Sequence, residues 1–367
     1  MKILVVHPQM SLYGGAEVVI VRLANYLQEQ GHEVSILTLS TKDRKEYEGL
    51  NFILPPEDRR ISYHLRGSVR ALKDVLKMYS TLKNLCEQYS GDFDVVNAHN
   101  FPAIWAVSEG KKAVWMCNEI PDLWHGSQNG LVNKMLNIGR LGDRIITRAK
   151  SPTAVVPDAL IAKRFQHRYG LTPEIIPYGI DGEFFSQVTN ARHIDNAFVV
   201  LQPSMISPSK NQMAVLKAAH ALKHIIPNLK VIFAGYKEQT PYLKQLEEYT
   251  AEHNLDTVFT GLVPKEELRD LYDHAQVAVF PGKGQGSWLG PFEALATGCP
   301  VIVSPNLSCT DTIRSLSTVS DYLVESMQNI HNHYPTYKAQ ALKGQEFVLK
   351  NLTWDKFGAR FLEVLES

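Results

Sequence analysis

Short apolar runs alternate with amphipathic stretches along most of this chain. In the first half, residues 2–7, 33–39, 94–98, 112–117 and 153–156 read as strands, and 15–30, 69–89 and 131–149 as helices. In the second half the strands fall at 198–202, 230–234, 257–260, 277–280 and 301–304, with helices at 212–224, 241–253, 265–275 and 291–297. Strands that are apolar throughout, rather than at alternate positions, belong to parallel sheets covered on both faces by helices. The rhythm breaks between about 182 and 197, where the sequence turns polar, so a linker is expected there. The pattern predicts an α/β protein of two doubly wound halves, with ligands held in a cleft at the carboxyl ends of the strands. A last helix at about 354–365 carries Trp354, Phe357, Phe361, Val364 and Leu365 close to one face, and that face needs a surface to cover.

Composition narrows the class without naming it. At 367 residues, two domains are the default. Lysine plus arginine and aspartate plus glutamate both number 38, so the chain as a whole is not marked as a binder of nucleic acid. The opening Met-Lys-Ile-Leu-Val-Val-His is a first strand rather than a leader, and no apolar run approaches the roughly 20 residues that span a bilayer. Cys86, Cys117, Cys299 and Cys309 form no CxxC pair and read as buried thiols of a reducing cytosol, not as a metal set. Neither acidic clustering nor cysteine spacing calls for a metal.

The chemistry is expected in the loops. Gln285-Gly286-Ser287-Trp288-Leu289-Gly290-Pro291-Phe292-Glu293 follows an apolar strand and opens a helix, with a carboxylate expected in the first turn. Unpaired N–H groups at a helix start favour phosphate, while Glu293 is suited to accept bonds from sugar hydroxyls, so the combination points to a nucleotide sugar. Gly14-Gly15, between the first strand and first helix, reads either as a phosphate-approach turn or as a tight structural turn. In Ser204-Met205-Ile206-Ser207-Pro208-Ser209-Lys210-Asn211, Ser207 or Ser209 is a candidate helix cap and Lys210 a candidate phosphate cation; a solvated lysine is the alternative. His99, Asn118 and Glu119 lie at strand ends and are candidates for hydroxyl binding, against a purely structural role for the histidine. Lys134, Arg140, Arg144 and Arg148 stand among Met135, Ile138, Leu141 and Ile145, and with Arg66, Arg70, Lys73 and Lys77 form either a membrane-facing surface or a solvated face; Asp74 and Asp143 favour the latter.

Taken in order, these pieces resemble the retaining glycosyltransferases of family 4, which have the GT-B fold. The resemblance rests on Gly14-Gly15-Ala16-Glu17, Asp94-Val-Val-Asn-Ala-His99, Ile176-Pro177-Tyr178-Gly179-Ile180-Asp181, Ser207-Pro-Ser-Lys210-Asn211, Gly261-Leu-Val-Pro264 and the 285–305 stretch. It implies a first domain over 1–185 that binds the acceptor, a second over 186–352 that binds the donor, and a final helix over 353–367 that returns to the first. It implies that Gly14 and Gly15 approach the donor diphosphate and that Lys210 neutralises it. Glu293 would hold the ribose, Gln285, Gly286, Ser287, Trp288 and Leu289 would face the sugar and phosphates, and Val263 would frame the base. Lys210, Gln285, His99 and Asn118 are then the catalytic candidates. The implied activity is a metal-independent, cofactor-free transfer of a hexose from a UDP- or GDP-sugar to a glycan or lipid-linked acceptor, in polysaccharide synthesis, in the cytoplasm or at the inner face of the membrane. Three positions depart from the family pattern: Gln285 stands for a glutamate, Met205 for an arginine and Asn118 for a histidine. They keep open a non-catalytic GT-B protein that binds a nucleotide or partner, and behind it a sugar-nucleotide epimerase or hydrolase using Glu119 and Asp122.

Overall fold

The protein is described from a computed structural model that covers residues 1–11, 14–57, 69–121, 130–187, 197–237, 240–282 and 289–367, with side chains of 69–74 and 130–138 left aside. It divides into two compact units, Met1–Tyr178 with Trp354–Ser367, and Gly179–Thr353.

Among the described residues, the first unit holds a seven-stranded parallel sheet: β1 (Lys2–Val6), β2 (Glu33–Leu37), β3 (Asn51–Ile53), β4 (Val95–His99), β5 (Ala113–Met116), β6 (Thr153–Val156) and β7 (Glu174–Ile175), in the order β3-β2-β1-β4-β5-β6-β7. The second holds a six-stranded one: β8 (Phe198–Pro203), β9 (Leu229–Ala234), β10 (Thr257–Gly261), β11 (Val277–Phe280), β12 (Val301–Val303) and β13 (Thr318–Val319), in the order β10-β9-β8-β11-β12-β13. Both sheets reverse their strand order at the first strand, between β1 and β4 and between β8 and β11. There the loops leave in opposite directions and open a crevice at the carboxyl edge.

Burial on both faces explains the strand sequences. In the second sheet Val199, Leu201, Ala278 and Phe280 enter one core cluster, while Phe198, Val200, Val277 and Val279 enter the other. In the first sheet Leu4, Val6, Val96, Ala98 and Trp115 pack together on one face. The opposite face is covered by the helix Gly15–Glu29, with Val19, Ile20, Leu23, Ala24 and Leu27 buried, and by the helix Trp354–Glu366, with Phe357, Phe361 and Leu365 buried. These two helices meet where Gly358 faces Tyr26: a Cβ on Gly358 would lie 2.4 Å from the tyrosine ring.

Several elements went unforeseen. β3, β7 and β13 are edge strands of two or three residues, too short to show a period. The helices Ala159–Tyr169, Leu323–Asn332 and Tyr334–Asn351 were also missed. The first was legible: Asp158 caps it, its Oδ1 accepting from the Ile161 N–H at 2.9 Å, and Gly170 ends it at φ +67°.

The expected linker is corrected in part. Gly182–Ser186 is a helix of the second unit, with Ile180 and Phe185 buried in its core, so the division falls after Tyr178 rather than after 185. Two phenylalanines in a polar stretch carry enough apolar area to tie it down. Residues 188–196 lie outside the described ones. Asp143, taken as evidence for a solvated helix, is 1% exposed. It accepts bonds from Trp105 Nε1 at 3.0 Å, Tyr169 Oη at 2.8 Å and Arg168 Nη2 at 3.0 Å, and so faces inward.

Gly358→Ala isolates the helix contact. An exposed helix interior gains about 1 kcal/mol from such a change, but here overlap with Tyr26 destabilises the protein by about 1–3 kcal/mol. In a Tyr26→Ala background the same substitution turns stabilising, as read by urea denaturation of the four chains; additive effects would reject the contact.

Candidate functional site

The carboxyl edge of the second sheet carries Lys210, Val263, Leu289 and Glu293. The turn Pro208–Lys210 follows β8, and the helix Gln212–Leu222 begins after it at Asn211, whose φ is +58°. Ser207 and Ser209 do not cap that helix: their hydroxyls bond each other at 2.9 Å, because the intervening tight turn separates them from its first N–H groups. Lys210 is half-buried, and its carbonyl accepts a 2.7 Å bond from Gln202 Nε2, which is wholly buried at the end of β8. Asn211 Nδ2 donates to the Pro281 carbonyl at 3.2 Å, joining the loop after β8 to the loop after β11 across the switch point. Met205 is 48% exposed beside them. Gly235 (φ +155°) lies so close to Ser204 that a Cβ would approach its carbonyl oxygen to 2.3 Å, which keeps the loops after β8 and β9 together.

Residues 283–288 lie outside the described ones, and with them Gln285, Gly286, Ser287 and Trp288. A helix runs over Leu289–Ala296, and no acidic residue lies in its first turn. This corrects the placement of Glu293, which sits one turn deeper. Proline is tolerated early in a helix, so Leu289 and Gly290 precede Pro291 inside it. Leu289 and Val263 are half-buried and pack on the core, while Leu262 is 74% exposed.

Glu293 is half-buried, and burial pushes its carboxyl up to about 7; Lys265 opposes this, Asp181 adds to it, and a bond from Tyr272 lowers it. Tyr272, wholly buried, donates toward the Gly290 carbonyl at 3.1 Å and Glu293 Oε2 at 3.4 Å. Lys265 forms an ion pair with Asp181 and lies 4.3 Å from the Phe184 ring centroid.

In the first unit, Gly14 and Gly15 are exposed at the start of the helix after β1, and a Cβ on Gly15 would meet nothing within 4 Å. Glu17 accepts the Gly14 N–H at 2.8 Å and faces His7 Nε2 at 3.3 Å. Burial works against the Glu17 charge, yet His7 and these hydrogen bonds hold its carboxyl below the usual range. This pair was not foreseen; a histidine at a strand end and a glutamate three residues after Gly14 were its only signs. His99 is fully buried, Nε2 2.7 Å from Asn97 Oδ1 and its ring stacked on Phe361, and burial drives its pKa well below the ordinary value. Asn97 Nδ2 donates to the Val114 carbonyl at 3.1 Å, so Asn97 Oδ1 is an acceptor and His99 Nε2 a donor. Asn118 Oδ1 accepts from the Tyr178 hydroxyl. Asp122 lies outside the described residues. All four cysteines are buried thiols, as read from the sequence. Among the described residues, no three histidine, cysteine, aspartate or glutamate side chains gather as metal ligands.

The comparisons with known proteins agree with this architecture. Residues 13–184 match the family model described as Glycosyltransferase Family 4, and residues 186–332 the model described as Glycosyl transferases group 1. The chain is a glycosyltransferase of the GT-B type. Among curated relatives it is 26% identical to the alpha-monoglucosyldiacylglycerol synthase of Streptococcus pneumoniae, over 82% of this chain and 69% of that one. Among solved structures it is similar to HepE of Anabaena in complex with UDP and glucose, at 15% identity and a TM-score of 0.78, covering 100% of this chain and 99% of the other. It is also similar to the sucrose-phosphate synthase of Thermosynechococcus elongatus, at 16% identity and a TM-score of 0.80, covering 100% and 98%.

The Glu293 environment has a consequence for stability. An acid whose pKa rises on folding keeps its proton in the folded chain where the unfolded chain has lost it. The unliganded protein therefore loses this contribution as pH climbs from about 4.5 through about 7. Denaturation across that window shows a steeper decline for the unaltered chain than for Glu293→Gln; parallel curves would refute the assignment.

Proposed function

We propose that this glycosyltransferase moves a hexose from a UDP- or GDP-sugar to a hydroxyl of a glycan or lipid-linked acceptor, with retention of anomeric configuration. The observation that carries the donor half is the Asn211–Pro281 bond, which ties the Lys210 turn to the segment leading to Glu293 across the β8/β11 switch point. A cation and a carboxylate acceptor at one sheet edge suit a diphosphate and a ribose. In this reading Lys210 neutralises the leaving phosphate, Glu293 accepts ribose hydroxyls, and the backbone at Val263 frames the base. Leu289 faces the sugar, and the sugar-contacting candidates at 285–288 lie outside the described residues. In the first unit Gly14 is engaged by Glu17, and the exposed helix start at Gly15 is the backbone suited to phosphate. The acceptor oxygen attacks the anomeric carbon, the bond from that carbon to the diphosphate breaks, and the leaving phosphate takes the acceptor proton. His99 and Asn118 serve as positioning groups, and no metal is required.

The relatives named above support the donor class: one is a glucosyldiacylglycerol synthase by name, and another was solved with UDP and glucose. Titration with UDP, UDP-glucose and GDP-mannose tests it. Glu293→Ala weakens nucleoside diphosphate binding by about tenfold or more, the worth of hydrogen bonds to a charged group. Transfer continues in EDTA and gives a product with the donor's anomeric configuration by NMR. Tight binding with no release of nucleoside diphosphate across an acceptor panel would replace transfer by the non-catalytic reading, and an inverted product would reject retention.

A second feature extends the reading to a lipid surface. With Asp143 turned inward, the outer face of the helix Gly130–Lys150 presents exposed Arg140, Arg144 and Arg148 beside Leu141, 57% exposed, and Ile145, 59% exposed. Cations flanking apolar side chains suit an anionic bilayer, and among the described residues no helix is long and apolar enough to cross one. We place the enzyme at the inner face of the membrane on this basis. Flotation with phosphatidylglycerol vesicles retains the unaltered chain, and the Leu141→Asp, Ile145→Asp double variant binds about tenfold more weakly or worse; equal retention would reject the contact.

A further inference from the structure

Glu293 is an unusual choice for an anchor, because a carboxylate accepts two hydroxyls well only when ionised, and burial works against that. What surrounds it within the second unit is an ordered set of charges. Lys265 opens the helix Lys265–His274, at the carboxyl edge beyond β10. Its Nζ is paired with Asp181 and lies over the rings of Phe184 (4.3 Å to the centroid) and Phe185 (5.5 Å). The aromatic faces and the carboxylate together fix the ammonium group. Tyr272, about two turns along the same helix face from Lys265, touches Glu293 Oε2 and the Gly290 carbonyl and so orients the carboxylate. Phe185 packs edge-to-face against Tyr272 with centroids 6.0 Å apart, so the segment bearing Asp181 and the helix bearing Lys265 and Tyr272 pack as one support.

We propose that the Asp181–Lys265 ion pair is a regulatory element of the donor site, which sets how strongly Glu293 holds the ribose hydroxyls of a nucleoside diphosphate at neutral pH. The proposal rests on the donor reading given above. Lys265 favours the ionised carboxylate and Asp181 disfavours it. Asp181 holds Lys265 in place, and Phe185, under the Lys265 ammonium, packs on Tyr272, whose hydroxyl touches Glu293, so the pair and the carboxylate share one packed support.

Arg269 lies over the other approach to Phe184, 4.8 Å from its centroid, and is itself paired with Asp270. Among the described residues, the other elements against the helix Leu289–Ala296 bring few further charges. The helix Tyr334–Asn351 brings Lys338, whose Nζ donates to the Gly298 carbonyl at 2.7 Å, and Gln345, which donates to the Ala296 carbonyl at 2.7 Å; both serve the far end of the helix. The helix Gly182–Ser186 brings Glu183, which is exposed. The core beneath contributes the thiols of Cys299 and Cys309, both buried.

The experiment compares the unaltered chain with Lys265→Met, Asp181→Asn and Glu293→Gln, each titrated with UDP and GDP calorimetrically from pH 5.5 to 8.5. The unaltered chain binds more tightly as pH rises toward 8, with a midpoint near 7. Lys265→Met moves the midpoint up and weakens binding at pH 7 by about threefold to tenfold, while binding at pH 8.5 changes less. Asp181→Asn moves the midpoint down, and Glu293→Gln removes the dependence. A merely structural role for the pair would weaken binding at every pH and in the same direction for both variants. Binding by the unaltered chain with coincident midpoints in Lys265→Met and Asp181→Asn overturns the inference alone. Failure of the unaltered chain to bind either nucleoside diphosphate at any pH overturns the donor reading, and the inference falls with it.

Discussion

Burial of the parallel strands on both faces is the constraint from which the rest follows. A strand such as β8 contributes alternate side chains to two separate cores, so it has no room for chemistry along its length. Polar groups are displaced to the strand ends, and parallel strands bring all their carboxyl ends to one edge. Gln202, Ser204, Lys210, Gly235, Pro281 and Ser304 are near one another for that reason alone. The reversal of strand order beside β8 then separates two of these loops, and the Asn211–Pro281 bond spans them.

Several of the polar groups that remain inside are answered by specific partners. Asp143 accepts from Trp105, Arg168 and Tyr169, Asn97 holds His99 and a backbone carbonyl, and Asp158 caps a helix. Glu293 is answered less completely. The bond it accepts from Tyr272 is long, at 3.4 Å, and Lys265, which favours its charge, is committed to another carboxylate. An acceptor left partly unanswered at a sheet edge is a costly arrangement for a structure and a useful one for a ligand rich in hydroxyl groups.

Much of this was visible in the residues. The apolar runs at 2–6 and 277–280 announce strands covered on both faces, the glycine pair at 14–15 announces the first strand-to-helix turn, and Phe357 and Phe361 announce a helix that needs a surface. The edge strands were not visible, since two or three residues carry no period. Neither was the direction of Asp143, because a single acid on a basic helix reads the same whether it faces water or Trp105. His99 looked available for chemistry at a strand end, and only the packing of Phe361 upon it shows otherwise.

Local pattern therefore determined the class: two doubly wound halves, a terminal helix with an apolar face, and loops suited to phosphate and sugar. These are properties of neighbouring residues, which chain periodicity and turn chemistry express directly. Tertiary structure decided what depends on groups distant in the chain. Asp181, Lys265, Tyr272 and Glu293 span more than a hundred positions of the sequence, and nothing in their spacing foretells that they share one charge balance. Burial and electrostatic coupling depend on distance in space, and folding alone sets that distance.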